Sequence, residues 1–339
     1  MTTVNSTTDV NKTTEIELPM SRSATTWSLI RSSENFNIIV VYILLFISLA
    51  IFVPYFFSLR NMVGLGLSIS QIGMVACTMM FCLASKDFDL SVGSQVAFYG
   101  VLAALIVNAT DSFILGIIGA LIAGIFIGLM NGIFVTKVRV NALIATLAMM
   151  EIVRGGAYII SGGNAVGVVN MDFFMLGQST ILGMPTPIVI TILCFVVFGF
   201  LLKNTAYGRN ALAVGGNADA AKLAGVDVDK VRITNFALQG AICAIAGVIL
   251  ASRITSGQPN ASLGFELSVI SACVLGGVSL NGGKASIIGV AVGVLIMGTV
   301  ENALNLLNID SFYQYLVRGG ILLLAVGADQ YRQRLAEKG

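Results

Sequence analysis

Long apolar segments separated by short polar ones run through most of this chain. Ten such segments have approximate cores at 37–57, 63–84, 91–108, 112–135, 142–161, 187–202, 233–252, 266–280, 285–307 and 312–328. A helix needs about 20 apolar residues to cross a bilayer core. Inside lipid, only helices and closed barrels satisfy their own backbone groups. The pattern therefore predicts an all-α, polytopic membrane protein with about ten transmembrane helices.

Polar segments flank these apolar runs. Residues 1–35 are rich in Thr and Ser, lack a signal-peptide pattern, and predict a polar N-terminal tail. The transmembrane domain is predicted to span 36–329, and its longest internal loop is predicted at 203–232. A C-terminal tail is predicted at 330–339. An even number of helices places both tails on the same side of the membrane.

Basic residues are distributed asymmetrically about the predicted helices. With both termini inside, only Arg60 and Arg253 of the nineteen Lys and Arg lie outside, while Arg154 and Arg318 lie within helices. The longest external segment, 162–186, contains no basic residue. Because cytoplasmic loops carry an excess of Lys and Arg, the charges predict that both termini are cytoplasmic.

Composition agrees with a membrane protein and narrows the chemistry. Hydrophobic residues make up 56% of the chain and charged residues 11%, whereas soluble domains carry about 25% charged residues. Histidine is absent, which removes the commonest proton shuttle and metal ligand. No nucleophile–base pair or metal-ligand cluster is evident. The sequence thus predicts no metal site and no catalytic residue, and it argues against an intramembrane enzyme.

Three short motifs occur in the same order in both halves of the chain. They are 88–94 with 265–271, 128–131 with 298–301, and 153–156 with 317–320. The offset corresponds to five helices, an odd number, so the second copy is predicted to be inverted relative to the first. Inverted repeats, predicted at about 63–161 and 233–328, are typical of transporters because opposed copies can build a pathway that opens to either side.

Acidic turns at the first pair of motifs are candidates for the transport pathway. Asp89 with Ser91, and Glu266 with Ser268, occur where one apolar segment breaks and another begins. The carboxylates are suited to cap the following helix. Broken helices at membrane depth also line cavities, so pathway or gating roles are compatible with capping. Glu301 and Asn302 are further pathway candidates.

Four charged residues lie within apolar surroundings. An ionised side chain in hydrocarbon costs several kcal/mol, so these groups are expected to be buried in protein and paired. Glu151 and Arg154 are spaced for a pair within one helix, and the repeat predicts that Glu301 pairs with Arg318. Structural clamping is one interpretation; sugar binding, gating or proton coupling are the others.

Small residues recur every fourth position on two predicted helices. They are Gly116, Ala120, Gly124, Gly128 and Gly132 on the fourth helix, and Ala285, Gly289 and Gly293 on the ninth. Such stripes let helix backbones approach closely in lipid. We therefore expect tight helix packing along both.

The internal loop contains a pattern for a short capped helix. Asn217 is a good N-cap, helix-forming residues follow, and Gly225 provides a stop. A helix of about two turns is unstable alone in water, so it is expected to dock on another surface. On pattern alone, a plain connector helix remains an equal interpretation.

From residue 36 to the end, the chain resembles the permeases of bacterial ATP-driven importers for ribose-type monosaccharides. The resemblance rests on the motif at 88–92, the loop motif at 207–225, and the segments 266–267 and 276–280. Segments 251–259 and 299–307 are similar to the L-arabinose branch of this family. The segment 281–284 departs from the family pattern by lacking one glycine before its basic residue.

The resemblance implies an assembly that composition does not show. Two permease copies in the inner membrane would sit on two cytoplasmic ATPase subunits, a periplasmic sugar-binding protein would dock outside, and the sugar would cross by alternating access. ATP would bind the partner subunit, since the chain itself has no phosphate-binding loop and is expected to hold no cofactor. Coupling to the ATPase is expected at Gly208, Arg209, Asn217, Ala220, Ala221 and Gly225. An ion-coupled secondary sugar transporter is the alternative.

Overall fold

The computed structural model describes residues 36–336, and these residues form a helical bundle. Its helices are α1 (Phe36–Phe52), α2 (Leu59–Ala84), α3 (Val92–Thr110), α4 (Phe113–Thr136), α5 (Ala142–Ser161), α6 (Met171–Gln178), α7 (Thr186–Asn204), α8 (Ala206–Gly216), α9 (Ala218–Leu223), α10 (Val228–Arg253), α11 (Phe265–Leu275), α12 (Ile287–Leu306) and α13 (Ser311–Ala336). Two-residue strands β1 (Val166–Gly167) and β4 (Ser256–Gly257) pair antiparallel, as do β2 (Thr180–Ile181) and β3 (Met184–Pro185). The predicted tail at 1–35 lies outside the described residues.

Seven of the described helices are long and apolar enough to cross a membrane, and three shorter helices are also apolar. The shorter ones are Phe36–Phe52, Phe265–Leu275 and Phe312–Gly327. The prediction of an all-α, polytopic membrane protein is therefore confirmed. The count of ten and the inverted repeat remain predictions.

The eighth predicted helix ends before its apolar segment does. The apolar segment 266–280 forms only α11, which ends at Leu275. Gly276 and Gly277 follow, and Gly277 adopts a left-handed φ of 83°, a conformation that glycine enters without steric cost. Eleven residues rise about 16 Å, roughly half of the hydrocarbon thickness.

Glycines bring α4 against α10 at backbone contact distance. A Cβ added at Gly124 would lie 2.5 Å from the carbonyl oxygen of Gly240, and one added at Gly128 would lie 2.2 Å from that of Phe236. Gly132 similarly faces Ile233. The tight packing expected from the small-residue stripe of the fourth helix is confirmed. Its second half packs on α10, whereas Gly116 faces Val107 of α3.

The second stripe packs in the same way. A Cβ added at Gly293 of α12 would lie 2.0 Å from the carbonyl oxygen of Ala272 in α11. A Cβ at Gly276 would meet the backbone of Gly289. The short helix α11 is thus held in the bundle by close backbone packing against α12.

The interior of the bundle surrounds the second half of α2. Every residue from Ile72 to Ala84 is buried there, and α7, α8, α10, α11 and α12 all pack against this helix. Large apolar side chains on α4, α5 and α7 instead face outward, including Ile122, Phe126, Ile144 and Phe200. These helices present the surface that faces lipid or another protein.

Candidate functional site

The N-termini of α3 and α11 meet inside the bundle. A Cβ added at Gly93 would lie 2.6 Å from Oε2 of Glu266 and 2.6 Å from the carbonyl oxygen of Ser262. Only glycine leaves room for this approach. The structure therefore brings together the two acidic turns that the sequence singled out, at the point where both helices begin.

Asp89 is fully buried and organises the turn before α3. Its Oδ1 accepts hydrogen bonds from the backbone N–H of Ser91 at 2.9 Å and from the Ser91 hydroxyl. Gln95 Nε2 donates to Asp89 Oδ2 at 3.3 Å and to Ser91 Oγ at 2.7 Å. Asn131 of α4 donates to Ser91 Oγ, and the Tyr99 hydroxyl donates to Gln95. The carboxylate thus fixes the turn before α3 through hydrogen bonds from neutral donors. It does not cap the helix as the sequence suggested, because the N-cap is Ser91 and, among the described residues, no side chain makes a capping hydrogen bond there.

Sequence reasoning did not place Gln95 and Tyr99 in this network. They lie four and eight residues after Ser91 on the same face of α3, and both are buried. A buried Gln within an apolar helix needs hydrogen-bond partners. The spacing of four residues between Ser91 and Gln95 was the feature of the sequence that could have predicted this contact.

Two arginines hold the turn at 258–264, which leads into α11. Arg154 Nη1 donates to the carbonyl oxygens of Pro259 at 2.7 Å and Ala261 at 2.8 Å. Arg318 Nη1 donates to that of Gly264 at 3.4 Å. These arginines occupy matching positions in the predicted repeat, and both act on one turn beside Glu266.

The predicted ion pair of Glu151 with Arg154 is not formed. Helical spacing allows it, but the Arg154 guanidinium is engaged by backbone carbonyls of the 258–264 turn. The carbonyl groups of this turn have no partner within a helix, and buried carbonyls need a hydrogen bond. They therefore compete with the Glu151 carboxylate for the Arg154 guanidinium. Glu151 is exposed on the surface of the single chain rather than buried.

Glu301 and Arg318 form the pair that the repeat predicted. Arg318 Nη2 lies 3.1 Å from Glu301 Oε1, and both side chains are largely buried. The Ser268 hydroxyl donates to the same carboxylate oxygen at 3.4 Å. Asn302 instead exchanges two amide hydrogen bonds with Asn61 of α2, at 2.9 and 2.8 Å. These contacts join α2, α11, α12 and α13.

We expect Arg318→Ala to destabilise the folded protein by about 1–3 kcal/mol, because it leaves a largely buried carboxylate without its charged partner. Glu301→Gln should act in the same direction with a smaller effect, since the amide still accepts a hydrogen bond. Thermal unfolding in detergent measures both. Lys137→Ala, which removes an exposed pair with Asp229 at 2.7 Å, is the control, with an expected effect of about 0–1 kcal/mol. Equal unfolding midpoints for Arg318→Ala and this control would contradict a clamping role.

The internal loop forms two consecutive helices. The predicted short helix is present as α9, whose N-cap Asn217 accepts from the Ala220 N–H at 3.0 Å. Gly225 ends it with a φ of 87°. Ala221 is buried, whereas Leu223 is 91% exposed. The preceding helix α8 was not predicted, since Gly208, Gly215 and Gly216 in its sequence are poor helix formers.

The expected coupling residues divide between packing and exposure. Gly208 is buried, and a Cβ there would lie 2.3 Å from the carbonyl oxygen of Leu202. Arg209, Asn217 and Ala220 are exposed. The Tyr207 hydroxyl donates to Asn235 of α10. The loop is therefore fixed to the bundle through α8 and presents α9 outward.

The turn at 85–91, between α2 and α3, lies at the same end of the bundle. Arg232 of α10 pairs with the buried carboxylate of Asp87, its Nε donating to Oδ2 at 2.8 Å. Burial raises the pKa of the Asp87 carboxyl, and the bonds from Arg232 act against this rise. The pair thus ties the turn to the N-terminal part of α10.

Comparison with known proteins gives consistent matches over most of the chain. Residues 61–326 match a family described as branched-chain amino acid transport system / permease component. The chain is 55% identical over 301 residues to the L-arabinose transport system permease protein AraH of Escherichia coli (strain K12), covering 89% of this chain and 92% of that protein. It is 55% identical over 314 residues to the L-arabinose ABC transporter permease protein AraH of Azospirillum brasilense, with 92% of each covered. It is 39% identical over 284 residues to the Ribose import permease protein RbsC of Escherichia coli (strain K12), covering 83% and 88%. No solved structure gives a significant match.

Proposed function

Because the chain belongs to the family of branched-chain amino acid transport system permease components, we propose that it is the membrane-spanning permease subunit of an ATP-driven importer of L-arabinose. The observation that carries this proposal is the 55% identity to two permeases named for L-arabinose, across 92% of the length of each. Identity to the ribose import permease is lower, at 39%. The sugar crosses unchanged, and the chain is not an enzyme.

The ATPase partner is proposed to bind at α9. Leu223 is the large apolar side chain that this helix exposes, at 91%, and its burial by a partner would remove apolar surface from water, which favours binding. The loop reaches the bundle through α8, so a movement imposed at α9 is transmitted to α2 and α10. We propose that this end of the bundle is the cytoplasmic one, as the distribution of basic residues predicts.

A second copy of the chain is proposed to cover the exposed face of α5. Glu151 lies exposed there, between the outward-facing Leu147 and Ile152. An ionised carboxylate facing lipid is costly, so this face fits a protein interface or a water-filled path. A homodimer with the sugar path between its copies satisfies both conditions, with Glu266 and Glu301 near the start of α11 as gating groups.

The remaining parts of the assembly follow from this arrangement. We place the chain in the inner membrane with both termini cytoplasmic. A sugar-binding protein then docks at the opposite end of the bundle, where α6, the β2–β3 hairpin and the β1–β4 pair lie. High affinity for the sugar belongs to that binding protein, and the permease provides the path.

Uptake of radiolabelled L-arabinose by cells that lack the chain's gene tests the proposal. We expect uptake to be lost on deletion and restored by the wild-type chain, and excess unlabelled D-ribose should compete poorly. Unchanged uptake after deletion would contradict the proposed function. Equal competition by D-ribose would contradict the choice of sugar within it.

A further inference from the structure

An open cavity of about 420 Å³ lies at the end of the bundle that carries the 205–227 loop. Its walls are the 85–91 turn, the 137–141 turn between α4 and α5, and the N-terminal part of α10. Its lining includes Lys86, Asp87, Arg139, Asn141, Asp229 and Arg232. The cavity is separate from the cluster around Glu266 and Glu301.

Three basic and two acidic side chains line the cavity. The two acidic groups are engaged, Asp87 with Arg232 and Asp229 with Lys137, at 2.8 and 2.7 Å. Lys86 and Arg139 are both exposed and add positive charge beyond these pairs. A neutral sugar carries no charge that could pair with these cations. A phosphate group is an anion and accepts charge-assisted hydrogen bonds from Lys and Arg.

The two exposed cations share a backbone conformation. Lys86 and Arg139 both adopt a φ of 63°, in the left-handed region that glycine and asparagine favour. Lys86 follows the end of α2, where glycine is the usual terminator. Both residues line the same cavity, so the two turns bring two cations to it.

Apolar side chains at the rim connect the cavity to the membrane-facing surface. Val138 is 58% exposed, Leu143 41% and Ile144 63%, and all three lie beside the cationic lining at the 137–141 turn and the start of α5. A ligand that used both regions would carry a phosphate and a hydrocarbon chain. Basic pockets between transmembrane helices on the cytoplasmic side bind anionic lipid head groups.

We propose that this cavity binds the phosphate headgroup of an anionic phospholipid from the inner leaflet. Lys86 and Arg139 provide the charge, and Val138, Leu143 and Ile144 contact the first part of the acyl chains. The bound lipid bridges the 85–91 turn, the 137–141 turn and α10, and so stabilises the end of the bundle next to α8. This site is independent of which sugar is carried.

Lipid retention by the full-length protein tests the assignment. The protein is purified from membranes with its bound partners, and phospholipid is counted by native mass spectrometry. Its unfolding midpoint is then compared in nanodiscs of phosphatidylcholine with and without phosphatidylglycerol. The Lys86→Gln, Arg139→Gln double variant keeps both aliphatic stems, and Lys203→Gln, at the end of α7, is the control.

We expect wild type and Lys203→Gln to retain phosphatidylglycerol and to gain several degrees in its presence, and the double variant to lose both effects. Equal retention and an equal shift in the double variant would overturn the proposal. Inorganic phosphate reproducing the full shift in phosphatidylcholine nanodiscs would show a site for free phosphate instead. Loss of a bound protein from the double variant, with lipid unchanged, would show that the cavity receives an acidic protein segment and would also overturn it.

Discussion

Gly215→Ala is expected to abolish L-arabinose uptake and to reduce the yield of folded protein severely, while Gly216→Ala leaves both near the wild-type level. A Cβ at position 215 would lie 1.7 Å from the carbonyl oxygen of Ala84 and 2.7 Å from the backbone nitrogen of Gly283. Those atoms are themselves joined, since the Gly283 N–H donates to the Ala84 carbonyl at 2.8 Å. Backbone atoms in a shared hydrogen bond cannot rotate away as a side chain can.

The loss follows from the position of this contact. Gly215 lies near the end of α8. Here the internal loop contacts both the end of α2 and the 276–286 segment after α11. Overpacking typically costs about 1–3 kcal/mol where side chains can adjust, and we expect more here. Relief of the clash would require α8 to move away from α2, which separates α9 from the bundle.

The neighbouring glycine provides a matched control. Among the described residues, none lies within 4 Å of a Cβ added at Gly216. Alanine is also a better helix former than glycine, so Gly216→Ala is expected to be neutral or slightly stabilising. Unfolding midpoint in detergent and sugar uptake are measured for both variants. Wild-type values for Gly215→Ala would show that α8 does not pack as described.

Leu223→Asp is expected to abolish ATP-driven uptake while the protein folds normally. The side chain is 91% exposed in the single chain, so a polar replacement removes no internal contact. In the assembly we propose that Leu223 anchors α9 in the ATPase. Loss of a buried leucine side chain from the interface costs about 2 kcal/mol in binding, which corresponds to a loss in affinity of about 30-fold. Co-purification of the ATPase with the tagged chain measures this loss.

Gly225→Val tests the same helix by a different route. At a φ of 87° a β-branched residue is strained, at about 1–2 kcal/mol, and among the described residues no atom lies within 4 Å of an added Cβ. The change therefore alters the end of α9 without disturbing packing, and we expect ATP hydrolysis to be uncoupled from transport. Leu182→Asp, at the exposed tip of the β2–β3 hairpin, is the control and should retain the ATPase. Normal uptake by both α9 variants would remove the coupling assignment.

The sequence was sufficient to predict features that depend on local spacing. The glycine stripe at 116–132 predicted close packing, because helical periodicity places every fourth residue on nearly the same face. It did not reveal α10 as the partner, since the choice among apolar helices depends on the assembled bundle. The caps at Asn217 and Gly225 were predictable because they act within one turn of the chain.

Other features depended on distant segments. Glu151 and Arg154 have suitable spacing for a pair, but Arg154 is engaged by carbonyls about a hundred residues later in the chain. The shortening of α11 had a local indication, the glycine pair after Leu275, yet hydropathy alone extended the segment past it. Glu301 and Arg318 were matched through the predicted repeat, which places Glu301 at the position of Asn131 and Arg318 at that of Arg154.

ATP-driven uptake in proteoliposomes tests the proposed function most directly. The chain is purified from membranes with its bound subunits, reconstituted, and supplied with the binding protein and labelled L-arabinose. We expect accumulation only when ATP is available to the ATPase, and none in the Leu223→Asp preparation or with an ion gradient alone. Accumulation by the isolated chain, driven by a proton or sodium gradient without ATP, would contradict the importer assignment and establish a secondary transporter.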